Sequence, residues 1–302
     1  MTARSDDPAR SRAVAALDAA ARAALHAVAV GVGGAGGGHA LAWASEQALR
    51  TSSRLVLLHA CPPGSPLARQ PGTPPMAQVE LVDPPLARAA SAARTKLGHR
   101  NVSLRILEGD PGTALVDASA GASILVIGTG GGGSTVRRVV RQAHCPVIVA
   151  RPGHDDHHAS FAGQVLVGVD ANPAGRAAVE YAFEYAEQHH LPVTAARVTD
   201  ADRAADVSRA GDLAAAMELL RAEVEPWKQR YPQVHVRSAV LHGAVGNGLT
   251  WAGAGAHLLV IGNRHRGPLG RSRTGDVPLT VARRARCPVA VVPADRHDGE
   301  PS

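Results

Sequence analysis

One arrangement of residues occurs twice in this chain. An aliphatic run leads into a glycine turn, then a stretch of helix length carrying arginines, then a second aliphatic run opened by Cys-Pro. The first copy runs from Ile124 to Val149 (ILVIGTGGGGSTVRRVVRQAHCPVIV) and the second from Leu258 to Val292 (LLVIGNRHRGPLGRSRTGDVPLTVARRARCPVAVV). Short runs of Val, Ile and Leu without polar alternation belong to strands buried on both faces, and parallel strands need a helical crossover between them. A chain that states this twice is therefore constrained to two α/β units. A glycine turn between a buried strand and a helix N-terminus is also a ready site for a phosphate.

The rest of the chain repeats at nearly the same spacing. Gly31 and Gly168 are 137 residues apart, Gly109 and Gly243 are 134 apart, and so are Gly128 and Gly262. Cys145 and Cys287 are 142 apart, so the glycine turn of the first copy is eight residues shorter than that of the second. The order of elements follows. The stretch 26–32 is a strand closed by glycine, Leu41 to Leu49 has helical spacing, and 54–59 is a second strand. Residues 62–85 hold eight prolines, which predicts an irregular loop or lid. A helix over 86–97, a strand over 102–107 and a helix from Pro111 to about Ala120 complete the first unit before its glycine turn. In the second unit a strand over 165–169 ends at Asp170, and Asn172-Pro173 starts a helix. Then come a strand over 191–198, a helix over 213–231 that Pro226 should kink or split, a strand over 234–240 and a helix over 249–254. The organisation expected is an N-terminal tail at 1–24, one domain at 25–152, a linker at 153–162, a second domain at 163–295 and a tail at 296–302. The polar linker holds three His and two Asp, which read as a solvated connection rather than a metal site.

Composition excludes several classes. Aromatics make up 3% of the 302 residues, so the core must be aliphatic. Three cysteines, Cys61, Cys145 and Cys287, give no disulfide framework and no metal spacing; two of them open equivalent strands, where a small apolar residue fits. Arg10, Arg12, Asp18 and Arg22 interrupt any apolar N-terminal run, and no stretch of about 18 apolar residues occurs anywhere, so a cytoplasmic protein without a membrane span is expected. The net charge of +6 permits anionic ligands, and seven of the 30 arginines lie between Arg264 and Arg286 with Asp276 as the one acid among them. That face lacks the stacking aromatics or recognised motif that nucleic-acid binding uses. No Ser-His-Asp, paired-carboxylate or nucleophile-elbow spacing appears, and His59, His144, Trp43 and Tyr181 read as structural residues.

The repeat, the Asp ending a first strand (Gly168-Val-Asp170-Ala-Asn-Pro), the Gly109-Asp110-Pro111 element and the Cys-Pro-Val strand together resemble the universal stress protein family in its tandem form. The resemblance covers about residues 26–293. It implies two Rossmann-like domains of the adenine nucleotide alpha hydrolase type, each a five-stranded parallel sheet of order 3-2-1-4-5 with helices on both faces. It also implies a stress-response module, not an enzyme, that binds ATP or a related adenine nucleotide, with or without Mg²⁺. The implied nucleotide residues are Asp170, Val198, Gly262, His265, Gly267, Gly275 and Asp276 in the second domain, and Gly128, Gly131, Gly133 and Ser134 in the first. The signature is met in part. His265 stands where the family has glycine, Asp276 where it has Ser or Thr, and Gly33 where the first domain should have Asp. The short turn of the first domain cannot encircle a triphosphate, so nucleotide is expected in the second domain. Family pairing runs through the last strands, which would make the chain an intramolecular pseudo-dimer with room for a further homodimer. The alternatives are a slow ATP-hydrolysing enzyme and an interaction protein that binds no nucleotide.

Overall fold

The computed structural model describes residues 27–34, 36–68, 73–130, 133–152, 159–199, 209–264 and 276–294. In the first half the order is β1 (Val28–Gly31), α1 (Gly37–Arg50), β2 (Leu55–Cys61), α2 (Met76–Val82), α3 (Pro84–Leu97), β3 (Val102–Glu108), α4 (Pro111–Ser119), β4 (Ile124–Gly128), α5 (Gly133–Gln142) and β5 (Val147–Ala150). In the second half it is β6 (Val165–Gly168), α6 (Pro173–His189), β7 (Val193–Thr199), α7 (Arg209–Arg230), β8 (Val236–His242), α8 (Val245–Ala252), β9 (Leu258–Asn263), α9 (Val277–Arg284) and β10 (Val289–Pro293).

Local chemistry explains where several helices begin. Asp83, Asp110, Asn172 and Asp276 each accept a backbone N–H from the first turn of the helix that follows, at Leu86, Thr113, Gly175 and Leu279. Each has proline in the first two helical positions, where its missing N–H costs nothing. The expectation of an irregular loop or lid over 62–85 is corrected: α2 and the first two residues of α3 lie within it. Pro75 stands at the N-cap of α2, and Pro84 and Pro85 open α3. Pro226 does not split its helix: α7 runs continuously from Arg209 to Arg230 with the proline inside. The helix expected over 249–254 starts earlier, at Val245, because Gly246 and Gly248 hide its first turn from a propensity reading. The strand before it correspondingly shifts to 236–242.

The strands form one ten-stranded sheet of order β3-β2-β1-β4-β5-β10-β9-β6-β7-β8. Read inward from each edge, the order is third, second, first, fourth, fifth strand of each half. As expected of the last strands, β5 and β10 pair with each other, and the pairing joins the two five-stranded halves into one continuous sheet. The join is antiparallel, with Val289 opposite Val149, Ala290 opposite Ile148 and Val291 opposite Val147. Every other strand pairing is parallel. Without each other, β5 and β10 would be exposed apolar edges open to aggregation.

Two aliphatic layers cover the two faces, and each runs across the join. One unites Val30, Leu57 and Leu104 with Val167, Phe183 and Leu220 through Ile148 and Ala290. The other unites Leu125, Ile127 and Val139 with Leu259, Ile261 and Val281 through Val147, Val149 and Val289. No helix among the described residues is long and apolar enough to cross a membrane.

Candidate functional site

In an open parallel sheet, ligands bind beyond the carboxyl ends of the strands, where the strand order reverses. In the second half that point lies between β6 and β9, which pair in parallel. The first turn of α6 closes over it at very short range. A Cβ on Gly262, near the end of β9, would lie 2.2 Å from the carbonyl oxygen of Ala174, and one on Gly175 would lie 1.9 Å from that of Asp170. The first half does the same between β4 and α1: a Cβ on Gly128 would lie 2.2 Å from the carbonyl oxygen of Gly36. Glycine at 128 and 262 is thus required by packing in both halves, whatever else these residues do.

Two residues beyond β6, the exposed Asp170 stands at the mouth of this crevice, and its Oδ2 receives Arg264 Nη2 at 2.7 Å. Arg264 is the first residue after β9 and opens the arginine-rich loop. The preceding residue, Asn263, is buried and donates from Nδ2 to the Val140 carbonyl of α5 at 2.8 Å, reaching into the first half. At the other end of the loop Asp276 caps α9 through Oδ1, while Oδ2 receives Arg141 of α5 from Nε at 2.7 Å and Nη2 at 2.6 Å. Both ends of the loop are therefore tied to adjacent residues of one helix in the other half.

The bond to Arg141 resolves the difficulty posed by Asp276. A free carboxylate about 4 Å from a phosphate would cost on the order of 4 kcal/mol at an effective dielectric near 20. A guanidinium in contact with that carboxylate compensates its charge. It also leaves Asp276 poorly placed for Mg²⁺, because both carboxylate oxygens are engaged. Among the described residues no group of three His, Cys, Asp or Glu could hold a metal ion. Nothing in the sequence singled out Arg141, although Arg283, 142 residues on, is its counterpart and approaches the start of α5: Arg283 Nη2 lies 3.3 Å from where a Cβ on Gly133 would be.

The other expected residues divide as follows. Val198 lies in β7 against α8, 3.2 Å from a Cβ placed on Gly248. Gly133 and Ser134 form the first turn of α5. Gly131, His265, Gly267 and Gly275 lie outside the described residues. The first half lacks both members of the Asp170–Arg264 pair. Gly33 replaces the acid and, by the spacing of 134 residues, Gly130 replaces the arginine. Gly33 has φ +153°, in the region that favours glycine, whereas Asp170 is not among the positive-φ residues. The first half thus differs in backbone as well as side chain. His59 holds that backbone, with Nδ1 3.1 Å from the Val32 carbonyl and Nε2 3.6 Å from Asp83 Oδ2. All three cysteines are buried, and burial pushes the Cys287 thiol up to about 12, which keeps it neutral.

A second cluster forms where α1 meets α6 across the join, and sequence reading missed it. Trp43 is half-buried, and its ring stacks on Tyr185 of the other half, with centroids 6.2 Å apart and planes 9° from parallel. His189 stacks on Tyr185 at 3.8 Å, and its Nε2 lies 2.8 Å from Gln47 Oε1. The amide oxygen only accepts, so that nitrogen carries a proton. Burial first, then the Arg50 guanidinium, lowers the His189 pKa to about 4. An imidazole depressed from about 6.5 stabilises the fold above that pH, and its contribution disappears as pH falls towards 4. Because His189 is only half-buried, the expected loss between pH 7 and 4 is about 1–2 kcal/mol after allowance for solvent screening. Urea unfolding across this range should show the loss, and His189→Gln should flatten it.

A family model described as the universal stress protein family matches residues 13–151 and again 162–293. A universal stress protein of Mycobacterium tuberculosis is 28% identical over 273 residues, covering 83% of this chain and 91% of the relative. One from Mycolicibacterium smegmatis is 28% identical over 274 residues, covering 84% and 92%. Among solved structures, a universal stress protein from Archaeoglobus fulgidus shares the fold at TM-score 0.60 and 15% identity, covering 91% of this chain and 97% of that one. A Pseudomonas aeruginosa protein described as a putative universal stress protein does so at TM-score 0.55 and 15% identity, covering 90% and 95%. With the family model matched in both halves of one continuous sheet, this chain belongs to the universal stress protein family in its tandem, two-domain form.

Proposed function

We propose that the chain is a stress-response module that binds ATP or a related adenine nucleotide in its second half. The observation that carries this reading is Asp170, an exposed carboxylate at the switch point between β6 and β9, from which a basic loop departs at Arg264. A carboxylate in that place accepts hydrogen bonds from ribose hydroxyls or an exocyclic amine. The arginines of the loop and the amides at the start of α9 suit the phosphates. The first half, with Gly33 and Gly130 in place of the pair, serves as the structural partner. Its Arg141 compensates Asp276, so the site of one half depends on the other, and the two act as a pseudo-dimer within one chain.

We also propose a binding role without turnover. The two acids that a hydrolytic mechanism would recruit as base, Asp170 and Asp276, are both held by guanidinium groups. A module reading adenine nucleotides works where these are abundant, which fits the cytoplasm.

Isothermal titration of ATP, ADP and AMP into the full chain tests the reading. Loss of one charge-assisted hydrogen bond should weaken binding about tenfold or more in Asp170→Ala. Equal affinity in wild type and Asp170→Ala would move the site elsewhere, and heat from none of the three ligands would leave an interaction protein.

A further inference from the structure

The ion pair at the mouth of the crevice raises a question of its own. Asp170 Oδ2, the atom best placed to accept from a ligand, already receives Arg264 Nη2 at 2.7 Å. The pair is open to water, with side-chain exposures of 61% for Asp170 and 47% for Arg264, and among the described residues no other ion pair holds either side chain. Exposed ion pairs of this kind shift an equilibrium by no more than about fivefold, so a ligand can exchange them. In the first half both members are replaced by glycine, Gly33 and Gly130, so acid and arginine are present together or absent together.

We propose that Arg264 is a specificity-determining residue that makes the site prefer phosphorylated nucleosides to free nucleosides. This rests on the nucleotide reading of Asp170 given above. A neutral nucleoside reaching for Asp170 must displace the guanidinium and offers it no anion in return. A nucleotide brings its own anion. The guanidinium transfers from carboxylate to phosphate oxygens, which it binds in the same forked geometry, and Asp170 becomes free for the sugar or base. Arg264 suits the exchange because it is both the partner of Asp170 and the first residue of the loop. The same residue therefore opposes the unphosphorylated ligand and favours the phosphorylated one, so its removal should change the two affinities in opposite directions.

The test is titration of adenosine, AMP and ATP into the full chain as wild type, Arg264→Gln, Asp170→Asn and the double variant. In Arg264→Gln, adenosine should bind about two- to fivefold tighter, since the competing ion pair is gone. ATP should bind about tenfold weaker or more, since a charge-assisted contact to phosphate is lost. The gain for adenosine should vanish when Arg264→Gln is made on top of Asp170→Asn, because a neutral amide does not hold the guanidinium as a carboxylate does. If Arg264→Gln leaves the ratio of adenosine to ATP affinity unchanged while wild type binds ATP, the inference is overturned and the nucleotide reading stands. If wild type binds none of the three, the nucleotide reading and this inference fall together.

Discussion

Gly262→Ala is expected to lower the stability of the whole chain by about 3 kcal/mol, the range for forcing a methyl group into a space already filled by backbone. The new Cβ would meet the Ala174 carbonyl oxygen at 2.2 Å and its carbon at 2.4 Å, with the Gly175 nitrogen at 2.9 Å. None of these is the far end of a flexible side chain, so relief requires the N-terminus of α6 to move off the sheet. In a chain of this size that corresponds to a fall in Tm of roughly 5 °C. Gly128→Ala should cost about as much, because its Cβ would meet the Gly36 carbonyl oxygen at the same 2.2 Å. The comparison separates two roles for these glycines. If they matter only as part of a phosphate loop, Gly128→Ala, in the half without the acid, should be silent in thermal unfolding. If packing is the reason, both variants melt early, and both do so without nucleotide present.

The second large effect is expected at the join between the halves. Ile148 has no exposed surface and sits opposite Ala290 in the antiparallel pairing of β5 with β10. Ile148→Asp removes a large aliphatic group from a layer that spans both halves and places a carboxylate there with no partner. The two penalties together are on the order of 5 kcal/mol. The loss should appear as more than a lower midpoint. With the shared strands unpaired, α1 and α6 lose the stacking of Trp43 on Tyr185, and the two halves lose their reason to unfold together. Calorimetry should show one cooperative transition in wild type and an early, broadened or divided transition in Ile148→Asp. A single sharp transition at the wild-type temperature would mean that the join contributes little to stability, which its two continuous core layers argue against.

Much of the architecture was legible in the residues because strand burial and helix capping are local properties. The runs over 124–127 and 258–261 are too uniformly aliphatic to be anything but buried strands, and the equivalent residues lie at nearly constant spacing. The caps at Asp110 and Asn172 follow from a hydrogen-bonding side chain standing directly before proline. The misreadings have local causes as well. Proline signals a break over 62–85, yet there it stands at the N-cap of α2 and at the start of α3, and glycine hides the first turn of α8. Motif matching placed Asp170, Gly262 and Asp276 on the list of site residues but could not say what each touches.

The sequence by itself determined that there are two α/β units of one plan, that the second alone keeps the acid at 170, and that its loop is longer by eight residues. The tertiary structure decided what the residues flanking that loop touch. Arg141 and Asp276 are 135 positions apart, and Val140 and Asn263 are 123 apart. Neither contact has a local signature, because each exists only once β5 and β10 pair and bring α5 beside α9. The same holds for His189 against Gln47, whereas Arg264 reaches Asp170 because β6 pairs with β9 inside the second half. Composition and period report what a segment must bury. Which charge answers which depends on the relative placement of elements far apart in the chain, and that is set by the strand join.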